Sequence, residues 1–285
     1  MPQLEKASSF TCAGVQSVAI CSLPVGPLCS DVGVLIVVGG PQYRVGSHRQ
    51  FVLLARHLAE AGLAVMRFDV RGMGDAPGDL LNFEQIGDDV GAAITHFIAQ
   101  TPGLKQVVIW GLCDAASAAL FYAHSDPRVR GLVLLNPWVR TEAGLASAYI
   151  KHYYAQKLLD PAFWRKLLSG RVAFASSVSG LMGRVRGMWQ GKANKVAPTT
   201  NEGSLPHRML AGLRQFQGKV LLVLSSDDLT AQEFIALEKG SRAWQAVLAD
   251  GRVERRVLQG ANHTFSRREW RDQVAEWTLD WMRRI

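Results

Sequence analysis

A cysteine follows a short apolar run near the middle of the chain. The run from Val107 to Trp110 ends at Gly111, and Cys113 and Ala115 come two and four residues later. A thiolate is a good nucleophile, and a helix that begins behind it favours its formation through its partial positive charge. A strand, Gly-x-Cys-x-small and a helix resemble a nucleophile elbow with cysteine in place of serine. The pattern predicts covalent catalysis by Cys113, and the alternative is a buried structural cysteine at a strand end.

Covalent catalysis at such an elbow needs an acid and then a histidine later in the chain, each just after a strand. The apolar segment 219–225 is followed by Asp227 and Asp228, and segment 253–259 is followed by His263. We predict that His263 is the base that activates the thiol. For the acid we prefer Asp228 over Asp227, because an apolar residue and a helix start follow it.

Attack on an acyl group also requires hydrogen-bond donors for the oxyanion that forms. The backbone N–H of Asp114 is the expected first donor, although the Asp114 carboxylate would oppose thiolate formation beside it. Alternatively, this carboxylate binds a positive charge on the substrate or on an overlying segment. The second donor should come from the stretch "GGPQ". Pro41 has no N–H, so either Gly40 or Gln42 must supply the donor, or the oxyanion hole is incomplete.

The loop that contains "GGPQ" continues with Arg44 and His48. A substrate-binding role and an ordinary surface position are equally open for these two residues. By contrast, Asp69, Arg71 and Gly72 follow another apolar strand, and we expect them to brace the loop beside the site without contacting the substrate.

The elements that must position these residues alternate along the chain. Apolar runs predict strands over 32–40, 64–70, 106–111, 130–138, 219–225 and 253–259. Helical spacing predicts helices over 48–62, 83–99, 114–124 and 267–284. Alternation of this kind predicts an α/β fold with a mostly parallel, doubly wound sheet. Right-handed crossovers then bring the carboxyl ends of the strands, and the candidate residues, to one edge.

Residues 139–216 depart from this alternation, because no strand pattern occurs in them. We interpret residues 1–138 and 217–285 as the core and 139–216 as a helical cap. From Trp138 to Gln215 there are twelve Lys or Arg and three Asp or Glu, whereas the whole chain has a net charge of +8. The basic segment therefore predicts an anionic substrate or a membrane surface as its partner. No motif indicates nucleic-acid binding.

Composition restricts the remaining possibilities. Hydrophobic residues make up 48% of the chain and charged residues 20%, as in ordinary globular enzymes. The four cysteines have no CxxC or Cys/His spacing, so we expect reduced thiols in a cytoplasmic protein and neither a metal nor a cofactor. The N-terminus has no signal-peptide pattern, and no apolar stretch approaches the ~20 residues that a membrane helix needs.

The chain resembles the α/β-hydrolase superfamily over nearly its whole length. The segment "FDVRGMGDAPG" is similar to the D-x-R-G-x-G loop after the fourth strand of that superfamily. More narrowly, "GGPQYRVGSHRQF", "RFDVRGMGD", "GLCDAASAAL", "LNPW" and "ANHTFSRREW" resemble the hydrolases associated with the exosortase A system of bacteria. That resemblance implies a cytoplasmic protein with a hydrolase fold, encoded among genes for exopolysaccharide synthesis and protein sorting. The chain resembles dienelactone hydrolase more weakly. That family also has a cysteine at the elbow, but it has glycines where this chain has Ala115 and Ala116.

Three functions are compatible with these residues. The first is an acyl hydrolase, an esterase or thioesterase, which uses Cys113, His263 and Asp228 through a thioester acyl-enzyme. The second is an acyltransferase or cyclase with the same triad, because a thioester reacts well with amines. The third is a non-catalytic partner protein that has kept the fold.

Overall fold

An eight-stranded sheet forms the centre of the computed structural model, which describes residues 3–139 and 203–285. In spatial order its strands are β1 (Gln3–Cys12), β2 (Val15–Pro24), β4 (Val65–Phe68), β3 (Val32–Val37), β5 (Gln106–Leu112), β6 (Val129–Leu135), β7 (Lys219–Ser225) and β8 (Val253–Leu258). The pairs β1–β2 and β2–β4 are antiparallel, and the other neighbouring pairs are parallel.

The described residues also form seven α-helices. They are α1 (Gln50–Glu60), α2 (Gly87–Gln100), α3 (Asp114–Tyr122), α4 (Leu205–Gln215), α5 (Leu229–Lys239), α6 (Arg242–Leu248) and α7 (Arg268–Met282). Three short 3-10 turns accompany them at Ser47–Arg49, Phe83–Gln85 and Ala123–Ser125. Among these described helices, none is both long and apolar enough to cross a bilayer.

Helices cover both faces of the sheet. Every residue of β3 is buried, and its successive side chains point to opposite faces. Leu35 and Val37 pack in a core cluster with α2, α3 and α4, whereas Val34 and Ile36 pack in a second cluster with α1 and α7. Burial on both faces explains why the central strands are continuous apolar runs. The predicted α/β-hydrolase fold, with its mostly parallel doubly wound sheet, is confirmed.

The N-terminal hairpin was not predicted. Strand β1 lies at an edge of the sheet and is largely exposed, so it lacks an apolar run that would mark it. Its turn contains Ala13 and Gly14, both with positive φ, which joins β1 directly to β2.

Both ends of the predicted cap belong to the core. Val139 is buried in the cluster with α2 and α3, and α4 buries Met209 and Leu213 in the same cluster. Residues 3–139 and 205–285 therefore form one compact unit, which corrects the predicted boundaries of 139 and 216. Residues 140–202, the remainder of the predicted cap, lie outside the described residues.

Candidate active site

Cys113 lies in a tight turn between β5 and α3. Its φ of 63° and ψ of −123° are unusual for a residue with a side chain, and such backbone strain costs about 1–3 kcal/mol. The turn also brings Gly111 so close to the helix that a Cβ there would lie 2.7 Å from the carbonyl carbon of Ala115. This strand–turn–helix geometry is that of a nucleophile elbow.

His263 lies between Cys113 and Asp228. Its Nδ1 atom is 3.0 Å from Asp228 Oδ2, and the ring and the Cys113 thiol line the same cavity. Asp227 is exposed, whereas the Asp228 side chain is almost completely buried. The structure thus brings together Cys113, His263 and Asp228, and Asp227 makes no contact with the ring.

Local structure fixes the Asp228 carboxylate. Asp228 is the N-cap of α5 and accepts hydrogen bonds from the backbone N–H groups of Thr230, at 3.3 Å, and Ala231, at 3.1 Å. The carboxylate therefore has a fixed orientation towards His263. Its hydrogen bond, followed by the hydrogen bond with Cys113, raises the pKa of His263 from 6.5 to about 10, although burial opposes this rise.

The Asp114 carboxylate takes up one of the donors that were expected for the oxyanion. Its Oδ2 accepts a hydrogen bond from the Gly40 N–H at 2.8 Å, and its Oδ1 accepts one from the Ala115 N–H at 2.9 Å. The Gln42 N–H donates to the Gly40 carbonyl at 2.8 Å. Neither of the two donors predicted from the "GGPQ" loop is therefore free. Of the predicted alternatives, this arrangement fits an incomplete oxyanion hole, because the side chain of Asp114 folds back onto the loop.

A cavity of about 300 Å³ opens beside the thiol. Its apolar lining is contributed by Phe51, Phe83, Leu112 and Trp138. Its polar lining is contributed by Gly39, Gly40, Gln42, Cys113, Asp114, His263 and Thr264. No Lys or Arg of the described residues lines it, so the cavity suits an apolar group beside the Cys113 thiol.

Comparison with known proteins agrees with this architecture. The model of the family described as serine aminopeptidase, S33, matches residues 33–221, which is more than half of the chain. The chain belongs to this family. A comparison with curated proteins found no matching sequence.

Solved structures with low sequence identity share the fold of this S33-family chain. An esterase of Pyrococcus furiosus is similar with a TM-score of 0.63 and 16% identity, covering 98% of this chain and 94% of that one. An esterase domain of a Rhodothermus marinus protein gives 0.60 and 18%, covering 99% of each chain. A proline iminopeptidase of Mycobacterium smegmatis gives 0.56 and 18%, covering 95% and 97%.

The S33 match includes the elbow but ends before the other two residues. Cys113 lies inside residues 33–221, whereas Asp228 and His263 lie beyond them. The family description names serine enzymes, and this member has a cysteine at the elbow. At the level of the family the protein is therefore an α/β hydrolase of the esterase and peptidase type.

Arg44 and His48, which were candidates for substrate binding, do not line the cavity. The guanidinium of Arg44 forms ion pairs with the buried Asp69 and with Asp75, so its charge is already compensated. His48 is exposed, with a φ of 54°. The structure gives neither residue a contact with a group bound beside Cys113.

Asp69 and Arg71 make contacts that hold the loop after β4, as predicted. Asp69 is completely buried and also accepts a hydrogen bond from the Asp75 N–H at 3.0 Å. Arg71 holds Asp89 through a pair of hydrogen bonds, of which the shorter is 2.8 Å. These contacts fix the loop after β4 from both sides.

Sequence reasoning missed the role of Asn136, in the stretch "LNPW". Asn136 is completely buried, and its amide donates to Ser225 Oγ at 2.9 Å and to the His263 carbonyl at 3.2 Å. Ser225 in turn donates from its N–H to Asn136 Oδ1 at 2.8 Å and from its hydroxyl to the Asn262 carbonyl at 3.1 Å. A polar residue directly after an apolar strand, before a proline, was the available signal. Its partners could not be predicted, because they lie about 90 and 130 residues away.

Proposed function

We propose that the protein is an acyl hydrolase, an esterase or thioesterase, with Cys113 as nucleophile, His263 as base and Asp228 as the acid that orients it. The observation that carries this proposal is the position of His263, which is hydrogen-bonded to the N-cap carboxylate of Asp228 and lines the same cavity as the Cys113 thiol. The positive φ of Cys113 supports it, because strain of this kind is retained where a side chain must be presented.

The first half of the reaction forms an acyl-enzyme. His263 takes the thiol proton, which gives a thiolate and an imidazolium that the Asp228 carboxylate stabilises. The thiolate attacks the acyl carbonyl, a C–S bond forms, and the carbonyl electron pair moves to oxygen. When the carbonyl re-forms, the bond to the leaving group breaks, and the leaving group takes the proton from His263.

The second half releases the acyl group. His263 removes a proton from water, which attacks the thioester, and the C–S bond breaks to give the acid and Cys113. An amine or alcohol in place of water would make the same triad an acyltransferase or cyclase. The apolar lining by Phe51, Phe83 and Trp138 favours an apolar acyl group in either case. Because the nucleophile must remain a thiol, we place the activity in the reducing cytoplasm.

The proposal is tested by hydrolysis of p-nitrophenyl butyrate and of a butyryl thioester by single-cysteine variants. Cys113→Ala should lose hydrolysis by at least 10³-fold, because the covalent step is removed. Cys29→Ala is the matched control, since Cys29 is also an accessible free thiol. Full activity of Cys113→Ala would reject the triad, and inactivity of the unaltered protein towards both esters would favour a non-catalytic partner protein.

A further inference from the structure

Asp114 has a partly buried carboxyl group that the proposed mechanism does not use. The residue lines the cavity beside Cys113, and its carboxyl group packs against Gly39, where a Cβ would overlap with Oδ1. Three backbone N–H groups are directed at it, from Gly40, Ala115 and Asp114 itself. The carboxyl group is thus held by the backbone of two different segments, the loop after β3 and the start of α3.

Two of these three donors are those that an acyl oxyanion would need. The N–H after the nucleophile belongs to Asp114, and the N–H of the loop after the first central parallel strand belongs to Gly40. Asp114 Oδ2 is 2.8 Å from the Gly40 nitrogen, which is the separation expected between a donor and a bound oxyanion. A carboxylate oxygen and a tetrahedral oxyanion are alike in charge and size, so they compete for one position.

We propose that the ionised Asp114 carboxylate occupies the oxyanion hole, and that acyl transfer requires this group to become neutral or to leave the Gly40 N–H. The inference rests on the proposed role of Cys113 as nucleophile. In this proposal Asp114 controls the acylation step.

The chemical reason is the charge that develops during attack. As the C–S bond forms, the carbonyl electron pair becomes an oxyanion next to Asp114. An ionised carboxylate repels this charge and also withholds the Gly40 N–H. A neutral carboxyl group removes the repulsion and accepts the Gly40 hydrogen bond less strongly, so the oxyanion can displace it. Its proton stays on Asp114, and the proton of the leaving group comes from His263.

The groups that face Asp114 set the direction of its titration. Burial is the largest influence and raises the pKa of Asp114, whereas the hydrogen bonds from Gly40 and Ala115 and the charge of His263 lower it. Among the described residues, the other ionisable groups at the cavity are Cys113 and His263, with Asp228 behind the ring. From the loop after β3, the cavity receives the uncharged side chain of Gln42. The block by the carboxylate therefore applies above the pKa of Asp114 and weakens as the pH falls through it.

The test compares acylation with alkylation in Asp114→Asn and Asp114→Ala. Acylation is followed as kcat/KM for p-nitrophenyl butyrate, and alkylation as the rate of Cys113 labelling by iodoacetamide, both from pH 5 to 9. Alkylation depends on the thiolate but forms no oxyanion, so it measures the effect of the lost charge on Cys113 alone. At pH 8 both variants should gain acylation about tenfold or more beyond any gain in alkylation. This excess should shrink as the pH falls, because burial raises the pKa of Asp114 and a growing fraction of the unaltered carboxyl group becomes neutral.

Asp227→Asn is the matched control, because it removes an exposed carboxylate from the same edge of the sheet and should show no excess. Thermal unfolding of each variant checks the fold, and the alanine variant decides the result if the asparagine variant is unstable. Equal gains in acylation and alkylation, or slower acylation in both variants, would overturn the role of Asp114 and leave the triad intact. Absence of Cys113 acylation in every variant would overturn the triad as well.

Discussion

His263 is hydrogen-bonded to the Asp228 carboxylate and lines the same cavity as the Cys113 thiol, and this position affects stability as well as reactivity. Its pKa is raised to about 10 in the folded protein, above its ordinary value of 6.5. A group whose pKa is raised on folding binds its proton more tightly in the native state. The resulting stabilisation is fully present below pH 6.5 and is lost as the pH rises from 6.5 to about 10.

The unfolding midpoints of the unaltered protein and of His263→Gln should therefore converge as the pH rises. We expect the largest advantage of the unaltered protein near pH 6 and the smallest near pH 10, measured by thermal unfolding in matched buffers. His48→Gln, which changes an exposed histidine outside the cavity, is the control and should show no such trend. A difference between protein and His263→Gln that stays constant from pH 6 to 10 would contradict the raised pKa.

The residue types of the site could be predicted from the sequence, but the direction of the Asp114 side chain could not. The strand, turn and helix patterns pointed to Cys113, and the order along the chain pointed to His263 and Asp228. The fold-back of Asp114 onto Gly40 depends on a loop that lies about 70 residues away in the sequence. The local sequence pattern carries no information about a contact between residues so far apart. The hydrogen bond from the Gly40 N–H to Asp114 could therefore not be predicted.

The ends of β6 and β7 position the loop that carries His263. Asn136 and Ser225 link the two strand ends to the backbone of Asn262 and His263. The position of the imidazole relative to the thiol therefore depends on a buried polar network between elements. Removing one member leaves buried partners unpaired, at a cost of about 1–3 kcal/mol for each group.

We expect Asn136→Ala to slow both hydrolysis and iodoacetamide labelling of Cys113 by about tenfold, and to change the pH profile of labelling, since His263 moves relative to the thiol. Thr278→Val is the matched control: it removes a completely buried hydroxyl, bonded at 2.8 Å to the Val274 carbonyl in α7. It should lower the unfolding midpoint without altering the labelling profile. If both variants lose stability and both keep the unaltered labelling profile, Asn136 supports the fold without positioning His263.

Elements buried on both faces were predictable, and exposed or interrupted ones were less so. Apolar runs marked β3 to β7, because almost all residues of these strands are buried. Strand β8, at the edge of the sheet, is only partly buried. The segment between β7 and β8 contains two helices, because α5 ends at Gly240 and Ser241 caps α6 through its hydroxyl. Helix α4 was assigned to the cap because its sequence, between basic residues, gives no sign that it packs on α3.

The charge of the whole molecule is concentrated in one segment of its sequence. Lys and Arg outnumber Asp and Glu between 138 and 215, whereas the rest of the chain is nearly neutral. We propose that this segment attracts substrates whose leaving group is anionic, such as acyl chains on phosphopantetheine. Attraction between exposed charges is screened over ~10 Å at 0.1 M salt.

For such substrates kcat/KM should fall as salt is added, whereas neutral esters should change little. Arg184→Glu combined with Arg186→Glu should reduce this salt dependence. The matched control is Lys239→Glu combined with Arg242→Glu, which makes the same change in net charge at exposed positions of the core. An equal reduction of the salt dependence by both pairs would assign the effect to the total charge. If neither pair reduces the salt dependence, the basic segment would instead bind a membrane or a protein partner.

The covalent intermediate is the most direct test of the account. The protein is mixed with a butyryl thioester, quenched in acid within seconds, and analysed by intact mass and by peptide mapping. We expect one butyryl group per chain, on the peptide that contains Cys113 and absent in Cys113→Ala, while Cys29 stays free. Turnover of the thioester without any acyl group on Cys113, or with the acyl group on Cys29 alone, would contradict it.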